Sequence, residues 1–415
     1  YYEQTHTYRL TVSQSTPPTA DQMEKVNLHI PLKIALYDAK GTKQMLQHNG
    51  ELLSDVLNVT EKDQVFEFHG IYGRPIPALL CDFSAPVKLD YDYTTEQLLG
   101  LLKFADNQFA RWDAAQMLFT QELRRNVAHF QQGEAFEISP DVLTALAHVL
   151  ENYEQDIELA TLILTLPKDI EFAESFKTID PDGIAAAKEF MLVQIAEYLK
   201  EDLLRIYTHI RLEYYQVTQK DIALRAMRNL CLSYLAYTNL GNNVVQKHYN
   251  NANNMTDTLA ALNMATKAAL PCRDTLLADF EQKWQHDGLV MDKWFALQAT
   301  RPDENVLEIV QALMDHPSFN FNNPNRLRSL VGSFANHNLK AFHHISGSGY
   351  RFLTDVLIRL NETNPQVAAR LIEPLIRFSR FDAQRQTLMK RALERLSAVE
   401  DLSKDLFEKI EKALQ

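Results

Sequence analysis

Histidine and cysteine are the residues of this sequence best suited to metal binding or nucleophilic catalysis, and none falls in a pattern typical of either. There are 13 His and 3 Cys. No histidine opens an H-E-x-x-H helix, which would place two imidazoles and a general base on one face. The cysteines, Cys81, Cys231 and Cys272, form no C-x-x-C pair for zinc. The sequence therefore predicts neither a metal site nor a catalytic residue in this chain.

Two further stretches carry reactive residue types without a catalytic arrangement. His343 and His344 are adjacent, so on a helix they point about 100° apart and suit packing or surface positions better than chelation. The stretch SGSGY at 346–350 is superficially like a serine nucleophile turn, but it lacks the G-x-S-x-G spacing and a preceding buried strand. We interpret it as a flexible helix start. No G-x-x-x-x-G-K-[ST] phosphate loop is present either.

The stretch at 253–262, NNMTDTLAAL, has the composition of a helix N-terminus. Asn254 and Thr256 are good N-cap residues, and Asp257 would stabilise the positive end of the helix dipole. An apolar stripe that includes Met255 and Leu259 follows at helical spacing. These residues predict a capped helix rather than a catalytic or ligand-binding motif.

Composition and charge restrict the fold class and the partners. Only 12 of 415 residues are Gly, about 3% against the usual ~7%, which favours a helix-dominated protein. The net charge of −12 gives no electrostatic footprint for a phosphate backbone, so we expect no nucleic-acid partner. Residues 321–415 nevertheless carry 15 Lys/Arg against 10 Asp/Glu. This cationic layer is either a solvated helical face or a surface for an anionic group.

The expected environment is the cytoplasm. Three widely spaced cysteines do not make a disulfide framework, which favours a reducing compartment. No apolar run approaches the ~18 residues of a membrane span, and no signal peptide is present. The sequence begins without Met, at Tyr1, and runs directly into strand-like alternation. We therefore expect a fragment of a longer polypeptide.

Two domains are predicted from the change in hydrophobic period. Residues 1–93 contain candidate strand regions at 5–14, 27–37, 52–59, 64–69 and 78–93, separated by turn-forming residues. Roughly seven short strands in this length favour a small all-β immunoglobulin-like sandwich. Residues 94–415 have helical periodicity, with about 14 to 17 amphipathic helices that recurrently start with a capping residue and Pro. Antiparallel helix pairs of this kind build an α superhelix with a concave surface.

Long blocks of the sequence resemble a known family. NNMTDTLAAL at 253–262 is followed by LPCRDTLLADFEQKW at 270–284 and GLVMDKWFALQA at 288–299. Together with IPLKIALYD at 30–38 and NPNRLRSLVGSFA at 323–335, these blocks are similar to the C-terminal half of bacterial aminopeptidase N, the alanyl aminopeptidase of the zinc gluzincin family. Further matching blocks run across essentially the whole chain.

The resemblance implies a hydrolase that releases N-terminal amino acids from peptides with one zinc ion. The zinc ligands, the general base and the catalytic Tyr would all lie in a catalytic domain outside this chain. The chain alone is therefore expected to hold no cofactor and to be inactive. Its implied partners are the N-terminal and catalytic domains of the same enzyme and the peptide substrates, with no membrane partner, and a monomer is expected.

The resemblance also implies that side chains of the helical domain line the substrate cavity opposite the metal, and that the domain controls peptide access. The matching positions are Arg328, Gln366 and Arg370. Gln366 and Arg370 are four residues apart, hence on one helix face, which we expect to continue to Glu373 and Arg377. Arginines on such a face could bind a peptide carboxylate through paired hydrogen bonds. The alternative is a free-standing helical scaffold or peptide-binding module without enzymatic activity.

Overall fold

The structure is a computed structural model that describes residues 1–19 and 21–414. The chain divides into two compact units. The first comprises Tyr1–Gln121 and Ser139–Leu166, and the second comprises Glu122–Ile138 and Pro167–Gln415. The boundary expected between residues 93 and 94 stays a prediction.

The first unit begins with short antiparallel strands around one apolar core. In β1, Tyr8 and Leu10 are buried while Arg9 and Thr11 are exposed, the alternation of a half-buried strand. β1 pairs with β7, β2 pairs with β3, β6 and β8, and β4 pairs with β5. The strands are β1 Tyr8–Ser13, β2 Ile30–Tyr37, β3 Lys43–Gln44, β4 Gln47–His48, β5 Glu51–Leu52, β6 Val56–Val59, β7 Asp63–Phe68 and β8 Ile76–Leu79.

The candidate strand region at 78–93 is strand only at its start, where β8 covers Ile76–Leu79. β8 ends at Leu79, and the backbone then turns away from the extended conformation. Leu80, Asp82 and Phe83 all have positive φ, at 60°, 57° and 51°. An extended strand cannot continue through three left-handed residues. Residues 80–93 form a short 3-10 turn, Cys81–Phe83, and irregular chain instead of a strand.

The rest of the chain is helical, beginning at Thr95. The described helices are α1 Thr95–Phe104, α2 Gln108–Gln132, α3 Pro140–Glu151, α4 Ile157–Ile163, α5 Asp169–Glu174, α6 Pro181–Tyr198, α7 Lys200–His209, α8 Gln219–Leu235, α9 Gly241–Asn251, α10 Met255–Lys267, α11 Arg273–Trp284, α12 Gly288–Ala299, α13 Val306–Leu313, α14 Pro324–Leu327, α15 Ser333–His337, α16 Leu339–Phe342, α17 Ser348–Thr363, α18 Pro365–Leu371, α19 Glu373–Ile376, α20 Ala383–Ser397 and α21 Lys404–Leu414. Among residues 1–19 and 21–414, no helix is long and apolar enough to cross a bilayer.

The predicted helix starts are confirmed. α3, α6, α14 and α18 each begin with Pro directly after a capping-type residue, as the helical pattern predicts; these residues are Ser139, Asp180, Asn323 and Asn364. In α10, the side chain of Asn254 accepts a hydrogen bond from the Asp257 N–H at 2.9 Å. SGSGY also leads into a helix, because α17 begins at Ser348. Local capping chemistry therefore determines where these helices begin.

Candidate functional site

Arg328 lies at the first position of a π-helical turn, Arg328–Gly332, between α14 and α15. Leu327, Leu330, Val331 and Phe334 are each fully buried and fix this segment, whereas the Arg328 side chain is exposed. The Arg328 guanidinium donates to the Pro324 carbonyl at 3.3 Å and to the Asn325 side chain, both in the preceding turn. Wide π turns are rare and are enriched at functional sites.

Gln366 and Arg370 lie on one exposed face of α18, as expected. The opposite face packs inward through Leu371, which is 4% exposed. Neither the Gln366 nor the Arg370 side chain has a hydrogen-bond or ion-pair partner in the described part of the chain. The predicted continuation of this face to Glu373 and Arg377 was wrong, because α18 ends at Leu371 and a separate helix, α19, starts at Glu373. Pro374 supplies no backbone N–H, which accounts for the break.

The two segments that carry these residues pack against each other. A Cβ atom on Gly332 would lie 3.4 Å from Leu371 Cδ2 and 3.6 Å from Arg328 Cβ. A small cavity of about 100 Å³ is also lined by Pro324 and Leu327 from α14 and by Val367 from α18. The turn that begins with Arg328 therefore lies beside the helix that carries Gln366 and Arg370. None of these three side chains lines that cavity.

The cationic layer at 321–415 divides into basic residues with ion pairs and basic residues without them. Arg377 and Arg380 bind Glu174, and Arg385 binds Asp182 at 2.6 Å. Elsewhere in the layer, Arg326 binds Asp292, Arg395 binds Asp355 and Lys409 binds Glu373. Within residues 1–19 and 21–414, Arg328 and Arg370 take part in no ion pair. Their charges are therefore available to a ligand, unlike those of their paired neighbours.

A cavity of about 470 Å³ in the second unit, lined by both charged and apolar residues, was not foreseen from the sequence. It lies between the end of α2, the residues before α6 and the start of α20, and Arg124, Lys177 and Arg385 are among its lining residues. Arg385 is held by Asp382 at 2.9 Å, whereas Arg124 and Lys177 are exposed and have no side-chain partner among the described residues. Because the walls are about 250 residues apart in sequence, no local pattern could have revealed the cavity.

One group of side chains has the composition of a zinc site, but one of its imidazoles has no free lone pair. The potential ligand atoms of His48, Glu67 and His69 lie within 4.8 Å of one another. His69 Nδ1 accepts the Asn49 N–H at 3.1 Å, so the proton of the neutral ring is on Nε2. Arg9 donates to Glu67 Oε1 at 2.9 Å and holds the pKa of that carboxyl below its usual range. A zinc ion with three protein ligands does not fit this hydrogen-bond arrangement.

The adjacent histidines take the roles expected of packing and surface residues. His343 is 5% exposed, its Nδ1 lies 3.0 Å from the Tyr350 hydroxyl, and its ring stacks on Phe381 at 4.2 Å between centroids. His344 is exposed and interacts with Ser346. The sequence-based interpretation of both residues is confirmed.

Comparisons with known proteins cover the whole chain. A family described as a domain of unknown function with ARM repeats (DUF3458_C) matches residues 95–415, and one described as a domain of unknown function with an Ig-like fold (DUF3458) matches residues 1–92. The predicted fold class, an immunoglobulin-like β part followed by a large helical part, is confirmed.

The relatives are aminopeptidases of about twice the length of this chain. Aminopeptidase N of Haemophilus influenzae is 89% identical over 100% of this chain and 48% of its own length. Aminopeptidase N of Escherichia coli is 51% identical over the same shares.

A crystal structure of Legionella pneumophila aminopeptidase A in complex with aspartic acid superposes with a TM-score of 0.86. It has 26% identity to this chain, over 100% of this chain and 47% of that one. The chain thus spans about half the length of the proteins it matches, and it belongs to the DUF3458 and DUF3458_C families, the Ig-like and ARM-repeat C-terminal domains of aminopeptidase N.

Proposed function

We propose that this chain is the non-catalytic part of a zinc aminopeptidase that releases N-terminal amino acids from peptides. In this role it caps the active-site cavity and controls peptide access. The observation that carries the proposal is the match of all 415 residues to aminopeptidase N relatives, of which they span only 48%. A cap of this kind would exclude bulk water from the reacting groups and select short or unfolded peptides.

Zinc and the catalytic groups would come from the rest of the polypeptide. This chain has no H-E-x-x-H helix, and the His48, Glu67 and His69 group is unsuited to a three-ligand zinc site. The ion, when bound elsewhere in the enzyme, would polarise the scissile carbonyl and activate water. The partners of this chain in the proposal are the N-terminal and catalytic domains of the same monomeric, cytoplasmic enzyme.

Arg328, Gln366 and Arg370 are the residues proposed to line the substrate cavity. Three observations support them: their side chains are exposed, the two arginines are free of ion pairs, and their segments pack side by side through Gly332 and Leu371. Stable ion pairs would leave a guanidinium unavailable, as for Arg377 beside Glu174. In the proposal, Arg370 binds the C-terminal carboxylate of a short peptide, and the Gln366 amide contacts its backbone.

The test is Arg370→Ala in the full-length enzyme, with a tripeptide and the same tripeptide amidated at its C-terminus as substrates. A hydrogen bond to a charged group contributes about 1.5–3 kcal/mol, so kcat/KM for the free acid should fall about 10- to 100-fold. The amide, which lacks the carboxylate, should lose much less. Arg370→Lys should recover part of the loss, since charge is kept but the paired geometry is not.

Arg391→Ala is the matched control, because Arg391 is an exposed arginine of the same cationic layer on α20. Both substrates should be hydrolysed normally by this variant. Equal losses for acid and amide in Arg370→Ala would reject the carboxylate role. A normal kcat/KM for both substrates would remove Arg370 from the cavity altogether.

A further inference from the structure

Four consecutive helices of the second unit, α7 to α10, bring together a buried polar cluster, and none of these helices carries a proposed substrate residue. The members of this cluster are Tyr207 from α7, Arg225, Arg228 and Asn229 from α8, His248 from α9 and Asp257 from α10. Arg225 and Asp257 are each 5% exposed and His248 is 2% exposed. Charged groups this deeply buried need matched partners, because desolvation otherwise destabilises the fold.

Asp257 is the only carboxylate in the cluster, and its oxygens are directed mainly to amides. Asn229 Nδ2 donates to Asp257 Oδ1 at 3.0 Å, and Asn254 Nδ2 donates to Oδ2 at 2.9 Å. Arg225 Nε stays 4.0 Å from Oδ1, too far for a hydrogen bond. Asp257 therefore neutralises Arg225 only through a loose ion pair.

Both arginines lie over tyrosine rings. Arg225 Cζ is 4.8 Å from the Tyr215 ring centroid, and Arg228 Cζ is 5.0 Å from the Tyr207 ring centroid. Guanidinium N–H groups lie in the plane of the group, so stacking leaves them free to bind an acceptor. Arg225 Nε and Nη2, which form one forked edge, are both buried without a partner, as is Arg228 Nε.

His248 adds a further buried ring nitrogen without a partner. Burial raises the pKa of Tyr207, and its hydroxyl lies 2.9 Å from His248 Nδ1, within hydrogen-bond distance. Burial, and then the Arg228 charge, lower the pKa of His248 to about 4, so the ring is neutral and carries a single proton. His248 Nε2 is buried and has no hydrogen-bond partner.

Five of the eight buried side-chain atoms without a hydrogen-bond partner in residues 1–19 and 21–414 belong to this cluster. Three of the five are guanidinium N–H donors, one is the acceptor Asn229 Oδ1, and the fifth is the imidazole nitrogen His248 Nε2. The cluster also contains two guanidinium groups against one carboxylate. The excess of unpaired N–H groups and the excess of positive charge both favour an anion. An anion would accept hydrogen bonds from the unused N–H groups and neutralise the excess charge.

We propose that the cluster formed by α7–α10 is a binding site for one small inorganic anion, such as chloride, held by the open edges of Arg225 and Arg228. A water molecule could occupy the same place but would leave the charge imbalance in place. A cation would be repelled by both arginines. The site is independent of the substrate residues and would stabilise the packing of α7–α10.

The direct test is a crystal of the full-length protein soaked in sodium bromide, measured at the bromine absorption edge. We expect an anomalous peak in hydrogen-bond contact with Arg225 Nη2 or Arg228 Nε. Density without anomalous signal at that place, refining as water, would overturn the proposal. So would a direct Arg225–Asp257 hydrogen bond that closes the edge.

A solution test uses thermal unfolding in sodium bromide and in sodium gluconate at equal ionic strength, since gluconate is too large to be enclosed. A ligand that binds only the folded state raises the melting temperature, here by about 2 °C or more in bromide. Arg225→Gln should abolish this difference, and Arg228→Gln provides a second variant if the first does not fold. Arg211→Gln, an exposed arginine after α7, should keep it. Equal melting temperatures of the unmodified protein in the two salts would refute the site.

Discussion

The buried imidazole of His343 should make the stability of this protein depend on pH in a way that one substitution removes. His343 is 5% exposed, and the Arg385 Nε donates to its carbonyl at 2.6 Å. Burial, and then the Arg385 charge, lower the pKa of the His343 ring to about 3. The ordinary value in an unfolded chain is about 6.5.

The sign and size of this pH dependence of stability follow from proton linkage. Between about pH 6.5 and about pH 3 the unfolded state binds a proton at this position and the folded state does not, so stability falls as pH falls. One pKa unit corresponds to about 1.4 kcal/mol, so acidification from about pH 7 to about pH 5 should reduce the free energy of unfolding by about 2 kcal/mol through His343. Buried His248 contributes with the same sign.

The assay is urea unfolding followed by circular dichroism at both pH values, for the unmodified protein and for His343→Gln. The variant should lose about 2 kcal/mol less on acidification, whatever its stability at neutral pH. His344→Gln is the matched control: this adjacent histidine is exposed, and its variant should behave like the unmodified protein. An equal loss in His343→Gln and the unmodified protein would refute the assignment of a buried, neutral His343.

Two further predictions separate structural residues from exposed ones of the same type. Asn254→Ala removes the α10 cap and a partner of Asp257, and should lower the free energy of unfolding by about 1–2 kcal/mol in urea titrations. Asn305→Ala, at a helix start without a side-chain cap bond, should leave the free energy of unfolding unchanged. Arg326→Ala should lower the free energy of unfolding, measured by thermal unfolding, by about 3–5 kcal/mol, because buried Arg326 binds Asp292 at 2.6 Å. Arg328→Ala, two residues further on, should change it by less than about 0.5 kcal/mol. Loss of stability in Asn305→Ala or Arg328→Ala, or none in Asn254→Ala or Arg326→Ala, would contradict these assignments.

Much of the fold could be predicted because its signals are local. A cap such as Asn254 acts within three residues, and a Pro at the first helical position is compatible only with a limited set of backbone angles. The alternation around Tyr8 and Leu10 likewise shows which face of β1 is buried. Each of these features is determined by neighbours in sequence.

The errors arose where backbone geometry or distant packing determines the structure. Apolar residues after Leu79 are as compatible with a strand as with irregular buried chain, and positive φ at Leu80 decided between them. The helix break before Pro374 could have been predicted from this proline. The i, i+4 spacing of Gln366 and Arg370 suggested one continuous helix instead.

The composition of the candidate sites was the hardest part to predict. The sequence predicts Asp257 as a charge at a helix end. In the structure Asp257 also forms a loose ion pair with Arg225 and accepts a hydrogen bond from Asn229, both on α8, about 30 residues earlier. The π turn at Arg328 also has no sequence signature of its own. Contacts between separate helices of this kind depend on packing, which single-sequence patterns do not encode.

The central proposal, that this chain caps a peptide-binding cavity through Arg328, Gln366 and Arg370, is tested most directly by photo-crosslinking in the full-length enzyme. A slowly hydrolysed tripeptide analogue with a diazirine on its C-terminal residue would be irradiated, and the modified residues located by mass spectrometry. The proposal predicts crosslinks within residues 324–332 and 365–371, competed by unlabelled peptide. Competable crosslinks confined to other parts of the enzyme would contradict it.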